Sequence, residues 1–296
     1  MLKSVGIDIG TSSIKVLEIV ASNKGLALHR FTDHPLSTNL NHDTELDIIE
    51  FLRKLASEYD PNNTVFSVAL RQDQVATRYK NFPFRERQKI LKSLPFELEE
   101  DLPMNPETAV YDAKILQYRG ASAEVLACAA SKEAVGNLVK LCADALIEPS
   151  LISCEGAALA NWKENWTQAP PAIEGAALID TSVLSKTVVI QMNLGHTHTV
   201  VNALEDGRLI SSRTIYWGGK QIAEAIAKRY EISYEAALRE LQLKGFILTS
   251  KGSASADQIT FSDTISGAFK DLLKELRLYL LEIRSDFNAY INSIEI

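Results

Sequence analysis

Three things are scarce in this chain. Cysteine occurs only three times in 296 residues, as Cys128, Cys142 and Cys154, widely separated and without a CxxC spacing. A zinc ribbon and a disulfide scaffold are thereby excluded, and the thiols read as reduced core residues of a cytoplasmic protein. Basic charge is also short: 31 Lys and Arg face 38 Asp and Glu, a formal net charge of −7. No basic stripe is left over for a polyanionic backbone, so nucleic acid is excluded as a partner. Long apolar runs are missing too. No window approaches the roughly 18 apolar residues of a membrane span, and Asp8 interrupts the first apolar run, so neither a span nor a signal peptide is expected. The polypeptide is expected to be soluble. Its hydrophobic fraction of 46% and its length suffice for two domains, each with its own core.

What is present is an alternation of strands and helices, the signature of an α/β protein. Strands are predicted at 5–9, 14–19 and 27–31, then a helix over 43–59 stopped by Asp60-Pro61, then a strand at 65–70. Phe82-Pro83-Phe84 introduces a short helix over 85–93, followed by the proline-bracketed acidic segment LPFELEEDLP, 94–103. Strands at 109–117 and 124–130 precede a helix from Ser131 to Leu146, a strand at 149–154 and a helix at 155–166. The stretch TQAPPAIEG, 167–175, reads as a linker. Four strand-like segments follow: 176–180, 187–192, 197–204 and 208–216, with Glu205-Asp206-Gly207 as a hairpin turn. Helices are expected over 219–230 and 233–244, a mobile loop over 250–256, and one closing helix over 264–290 with a regular apolar stripe that reads as core.

Two turns carry chemistry. In Asp8-Ile9-Gly10-Thr11-Ser12-Ser13 a strand runs into a polar turn and leaves as a second strand. Asp can hold a hydrated Mg²⁺, Gly permits close approach, and amides and hydroxyls can donate to a phosphate. Roughly 185 residues on, Asn193-Leu194-Gly195-His196-Thr197-His198-Thr199 forms a second such turn, and Gly218-Gly219 opens a helix, where amides and the helix dipole suit an anion. His196 and His198 share one side of a strand, but no third ligand lies near, so no metal site is expected. No Ser/His/Asp or Cys/His nucleophile arrangement stands out, and no catalytic residue is expected.

The ordered set of motifs resembles the actin/Hsp70/sugar-kinase superfamily. Within it the chain resembles the actin-like L component of the type II secretion inner-membrane platform (GspL). It is also similar to the type IV pilus counterpart PilM, and more distantly to the cell-division actin FtsA. The carrying residues are GIDIGTSSIKVLEI at 6–19, LPFELEEDLP at 94–103 with VYD at 110–112, the run 124–161, NLGHTHTVVNALEDGRLISSRTIYWGG at 193–219 and SYEAALRELQLKG at 233–245. The LPFELE segment and the LGH turn favour the secretion protein over the pilus one.

The resemblance implies an actin-like (ribonuclease H-like) two-lobed α/β fold. A first lobe over 1–166 would carry a small inserted α+β subdomain at about 80–150, and a second lobe would cover 167–296. It puts Asp8, Gly10, Thr11, Ser12 and Lys15 at a first phosphate loop, Asn193, Gly195, Thr197 and Thr199 at a second, and Gly218 and Gly219 at the connecting turn. The two loops would face one another across a shared groove. ATP and Mg²⁺ are the implied ligands, as vestiges, because Asn193 replaces the acid of the D-x-G pattern. An alternative alignment puts the second loop at Asp180-Thr181-Ser182. The chain ends at Ser293–Ile296, where relatives begin the strand leading to an adenosine-binding turn, so the second lobe is expected to be incomplete. The implied function is scaffolding, not enzymatic turnover, at the cytoplasmic face of the inner membrane. The implied partners are a secretion or pilus assembly ATPase, inner-membrane platform proteins of M-like or PilN-like kind, and a second copy in a homodimer. In the pilus version the partner supplies a short N-terminal tail. Phe82, Phe84 and Phe96 with Glu97, Glu99 and Glu100 form the candidate docking surface. An active ATPase or kinase of the same superfamily is the rival reading.

Overall fold

The structure, a computed structural model, describes residues 2–23, 25–37, 42–102, 104–166 and 186–296. The expected linker at 167–175, the strand at 176–180 and the alternative loop Asp180-Thr181-Ser182 lie outside the described residues. The chain divides into two units, Met1–Thr181 with Asn202–Arg213, and Ser182–Val201 with Thr214–Ile296.

The first unit opens with β1 (Leu2–Ile9), β2 (Ser13–Ser22) and β3 (Gly25–Pro35), an antiparallel meander in which Asp8 lies opposite Lys15. Helix α1 (Thr44–Ala56) starts where the Asp43 carboxylate accepts the Leu46 N–H, an N-cap on an orphan donor. Strand β4 (Thr64–Leu70) then returns parallel to β1. Alternation decides the faces: Val5, Ile7, Ile14, Val16, Phe66 and Val68 point to one side and bury against Leu52 and Leu55 of α1. Gly6, Asp8, Lys15, Leu17, Ser67 and Ala69 occupy the opposite side.

A second, three-stranded sheet is made by β5 (Val75–Phe82), β6 (Ala109–Arg119) and β7 (Ser122–Ser131), with β7 in the middle and both pairings antiparallel. Helix α2 (Arg87–Glu97) covers it through Ile90 and Leu94, joined by Leu98 just beyond its end. The prolines around 94–103 suggest a helix stopping at Ser93, yet α2 runs through Pro95. Proline in a helix costs about 3 kcal/mol, while burying Leu94 and Leu98 contributes about 3–6 kcal/mol together. Burial wins, and Leu98 N–H closes the turn onto Leu94 O at 3.0 Å.

Helix α3 (Lys132–Asp144), N-capped by Ser131, leads to β8 (Pro149–Cys154), which pairs parallel with β4. Cys142, Ala145 and Ile147 join the core of the five-stranded sheet. The subdomain expected at 80–150 is therefore a sheet and helix over 75–131, and α3 and β8 belong to the larger sheet, whose order is β3-β2-β1-β4-β8. Helix α4 (Glu155–Trp166) follows.

The next sheet repeats the plan. Strands β9 (Lys186–Leu194), β10 (Thr199–Glu205) and β11 (Arg208–Ile215) come first, helices α5 (Gly219–Tyr230), α6 (Tyr234–Lys244), α7 (Ala256–Ala268) and α8 (Lys270–Phe287) intervene, and β12 (Ala289–Glu295) returns parallel to β9. The order β11-β10-β9-β12 reproduces β3-β2-β1-β4. The β10–β11 turn takes positive φ at Asp206 (49°) and Gly207 (78°), as a two-residue hairpin requires. Two expectations are corrected here. The closing helix is two helices, α7 beginning at a Ser255 capping box inside the expected loop, and α8 ending at Phe287. The strand expected only to begin at Ser293 is formed in full from Ala289.

In each sheet the first two strands are joined by the same closure. Gly10 N–H donates to Ser13 O at 3.0 Å, and Gly195 N–H donates to His198 O at 3.0 Å. A Cβ on Gly10 would lie 2.9 Å from Ser13 O, and one on Gly195 only 2.6 Å from His198 O. Gly10→Ala and Gly195→Ala should each lower stability by about 1–3 kcal/mol in urea unfolding. Gly136→Ala, on an exposed turn of α3 with nothing within 4 Å of the new atom, should raise it by about 1 kcal/mol. Equal effects at the three sites would remove the steric account of the two turns.

Candidate functional site

The first turn sits at the C-terminal end of β1. Asp8 is half-buried on the face away from the core, with Thr11 and Ser12 half-buried in the turn and Leu36 N–H donating to Ser12 O at 2.8 Å. The exposed Lys15 side chain folds back over the turn, its Nζ about 4.0 Å from where a Gly10 Cβ would stand. Asp8 and Lys15 together border a cavity of about 390 Å³ floored by Gly6, Ser67 and Ala69 and bounded by Ser153 of β8 and Asn161 of α4. The acid and the amine thus stand beside a cavity whose remaining walls are largely apolar, Leu17, Phe31, Val68 and Leu151 among them.

The second turn is built differently. Asn193 is exposed at the end of β9 and Thr197 is half-buried, with its hydroxyl 3.4 Å from His198 Nδ1. Thr199 is fully buried, and its hydroxyl donates to Trp217 O at 2.7 Å. The amides at the start of α5 are likewise engaged. Gly218 N–H donates to Gln221 Oε1 at 2.9 Å, Gly219 N–H to Gly195 O at 3.0 Å and Lys220 N–H to His196 O at 2.8 Å. A Cβ on Gly218 would collide with the carbonyls of His196 and Gly195. The sequence suggests that these glycines free amides for an anion; the structure uses them to let the helix start touch the turn. Thr199, Gly218 and Gly219 are thus fasteners of the second turn, with their donors already committed.

His196 completes this fastening through a hydrogen bond between its Nε2 and the Tyr234 hydroxyl at 3.0 Å. Burial, with a smaller contribution from Lys220, holds His196 below its usual 6.5. A histidine depressed in the folded state binds its proton more readily when unfolded, so it withdraws stability as pH falls below about 6.5. Thermal melting between pH 8 and pH 5 should show that loss, and His196→Gln should flatten it; an unchanged slope would remove the role of His196. Among the described residues no group of three or more metal-ligating side chains is found.

The expected docking surface separates into two parts. Phe82 is core, 3% exposed and packed under α2, and Phe84 leans on the same cluster. Phe82 therefore leaves the candidate surface: it is the last residue of β5 and alternation turns it inward. Phe96 is 80% exposed, and Glu97, Glu99 and Glu100 are exposed around it.

Two features escaped sequence reasoning. One is a buried polar knot at the start of α4, where Gly156 N–H donates to Gln72 Oε1, Asn202 Nδ2 donates to Gly156 O and Gln72 N–H donates to Glu155 Oε2. Single polar residues far apart in sequence gave no signal for it. The other is a groove of about 370 Å³ between the two sheets of the first unit. Val110 to Lys114 of β6 form one wall, Leu151 to Cys154 of β8 the other, and Cys128 to Ala130 lie between them. Both walls are outermost strands of their sheets among the described residues.

The duplicated strand plan with a glycine-closed turn in each half defines an actin-like α/β protein. A family model described as type IV pilus assembly protein PilM matches residues 6–246. The chain belongs to that family. Among solved structures it is similar to the PilM of a PilM-PilN type IV pilus biogenesis complex, at 19% identity over 98% of this chain and 81% of that one, with a TM-score of 0.71. Looser likenesses are to the cytoplasmic domain of EpsL, an inner-membrane component of the type II secretion system of Vibrio cholerae (10% identity, 92% and 95% covered, TM-score 0.45), and to MreB5 of Spiroplasma citri bound to ADP (12%, 99% and 85%, 0.49). No described helix is long and apolar enough to cross a membrane.

Proposed function

We propose that the chain is a scaffold of a type IV pilus assembly platform, holding an extended segment of an inner-membrane partner in the groove between β6 and β8. The observation that carries this is the pair of outermost strands lining one apolar groove. Among the described residues strand β8 has no strand on its outer side, and an added strand would pair with its main-chain donors and acceptors. Val110 and Leu151, 43% and 57% exposed, give it apolar side walls. The pilus relative was solved as a complex with PilN, and a PilN-type tail is the occupant proposed here. The chain would then work at the cytoplasmic face of the inner membrane, with an assembly ATPase as its second partner. Type II secretion remains the second reading, resting on the LPFELE and LGH segments.

The N-terminal tail of the PilN-type protein from the same genome, as a labelled synthetic peptide, should bind the full chain with a micromolar Kd in fluorescence anisotropy. Leu151→Asp changes an exposed wall residue and should weaken binding at least about tenfold. A peptide that does not bind, or binds this variant equally well, would remove the groove from the proposal.

The scaffold reading includes no nucleotide turnover. Asn193 is a neutral ligand where hydrolysis needs an acid to orient water, and the donors of Thr199, Gly218 and Gly219 are engaged within the protein. Calorimetry with millimolar Mg·ATP should give weak heat or none. Micromolar affinity with turnover abolished by Asp8→Ala would establish the enzyme reading instead.

A further inference from the structure

Two of the three cysteines meet inside the groove. Cys128 lies within β7 and Cys154 is the last residue of β8, directly ahead of α4, and both line the cavity. The two thiols lie close enough to shift one another's acidity, while the Cys128 Sγ–H donates to Leu126 O at 4.0 Å. The neighbouring Cys128 thiol, aided by the Ala157 N–H, holds the Cys154 thiol down at about 7 although burial raises it. The Cys154 thiol beside it and burial push Cys128 up, as a thiol that keeps its proton. Cys142 is a different case, sealed in the core beneath the five-stranded sheet and pushed up by burial alone. The three thiols that read alike in the sequence thus divide into one inert residue and one interacting pair.

We propose that Cys128 and Cys154 form a redox pair, in which a hydroperoxide oxidises Cys154 and Cys128 converts the product into a disulfide joining the two sheets. The Cys154 thiolate attacks one peroxide oxygen, so an S–O bond forms and the O–O bond breaks. The other oxygen takes a proton and leaves as water, or as an alcohol from an organic hydroperoxide. Cys128 then attacks the sulfenic sulfur: the S–S bond forms, the S–O bond breaks, and the Cys128 proton departs with the hydroxyl as water. The two thiols lose two electrons and the peroxide gains two. A dithiol reverses the bond by exchange.

The disulfide would staple β7 of the three-stranded sheet to the end of β8, fixing the floor of the groove against its wall. Its consequence rests on the groove being the partner site: a reduced chain admits the extended segment, and an oxidised chain resists it. The covalent step itself needs no partner.

The full chain treated with equimolar hydrogen peroxide should lose the mass of two hydrogens and, cut with trypsin and an Asp-specific protease that cleaves before Asp144, yield a peptide pair linking Cys128 to Cys154, with Cys142 still open to alkylation after unfolding. Cys128→Ser should stop at a sulfenic acid on Cys154, trapped by dimedone, and Cys154→Ser should slow peroxide consumption at least about tenfold. Oxidation of Cys142 as fast as Cys154, or no linked peptide from the unaltered chain, overturns the pair. The oxidised chain should bind the PilN-type peptide at least about tenfold more weakly, with recovery in dithiothreitol. If the link forms but affinity is unchanged, the control of docking is overturned. If the link forms and the reduced chain binds no peptide, the platform reading fails while the pair stands.

Discussion

Everything in this protein depends on a backbone approach that leaves no room for a side chain, made twice. Gly10 N–H reaches Ser13 O and Gly195 N–H reaches His198 O at the same 3.0 Å. At both positions the Cβ of any other residue would press on the very carbonyl that accepts the bond. Each closure turns an apolar strand end directly into the next strand. That fixes the alternation of the sheet: Ile7 faces the core, so Asp8 cannot, and the polar residue is delivered to the opposite face. The parallel return of β4 beside β1 and of β12 beside β9 then completes two sheets of the same order. The actin-like plan follows from one local constraint applied in two places.

The two halves diverge in what the closure is used for. Around the first turn a carboxylate and an amine border an open cavity. Around the second, the turn carbonyls are consumed by the start of α5, and the buried Thr199 hydroxyl is held by Trp217 O. Trp217 is in turn anchored through its Nε1 to Ala268 O at 2.8 Å and lies beside Phe269 at 4.8 Å between ring centroids. A helix start whose amides are all bonded within the protein has little left for an anion. The second half has committed these donors within the protein.

How much of this could be read beforehand follows from the range of each signal. The two turns, the Asp206-Gly207 hairpin and the Ser131 and Ser233 caps are local, and short-range chemistry reveals them. Strand β5 was missed because VATRYKNF carries Arg78 and Lys80 and shows no clean alternation; its strand state comes from pairing along β7, from Val75 opposite Ala130 to Phe82 opposite Ala123. Helix α7 was missed for a related reason: SKGSASA reads as loop, although Ser255 and Gln258 in it make a capping box. The polar knot of Gln72, Gly156 and Asn202 joins residues up to 130 positions apart, and no spacing rule reaches that far. Thr199 and Gly218 were legible as special but not in purpose, because a donor's partner is a property of the folded chain.

The strand edges show where such reading can still be extended. Outer strands usually carry protection against pairing with another chain. Strand β3 has His29, Arg30, Asp33 and His34, a register shift and a terminal proline, and β6 has Asp112, Lys114 and a register shift. Strand β12 is interrupted between Ile291 and Ser293. Strand β8, PSLISC, has no charge at all and only Pro149 at its first position. An edge left this bare would invite aggregation unless something covers or controls it. The groove sets β6 beside this edge, and the strand ends in Cys154. This uncharged edge and the Cys128–Cys154 pair occupy the same few residues, so the docking and the thiol exchange proposed above would act on one wall of the groove.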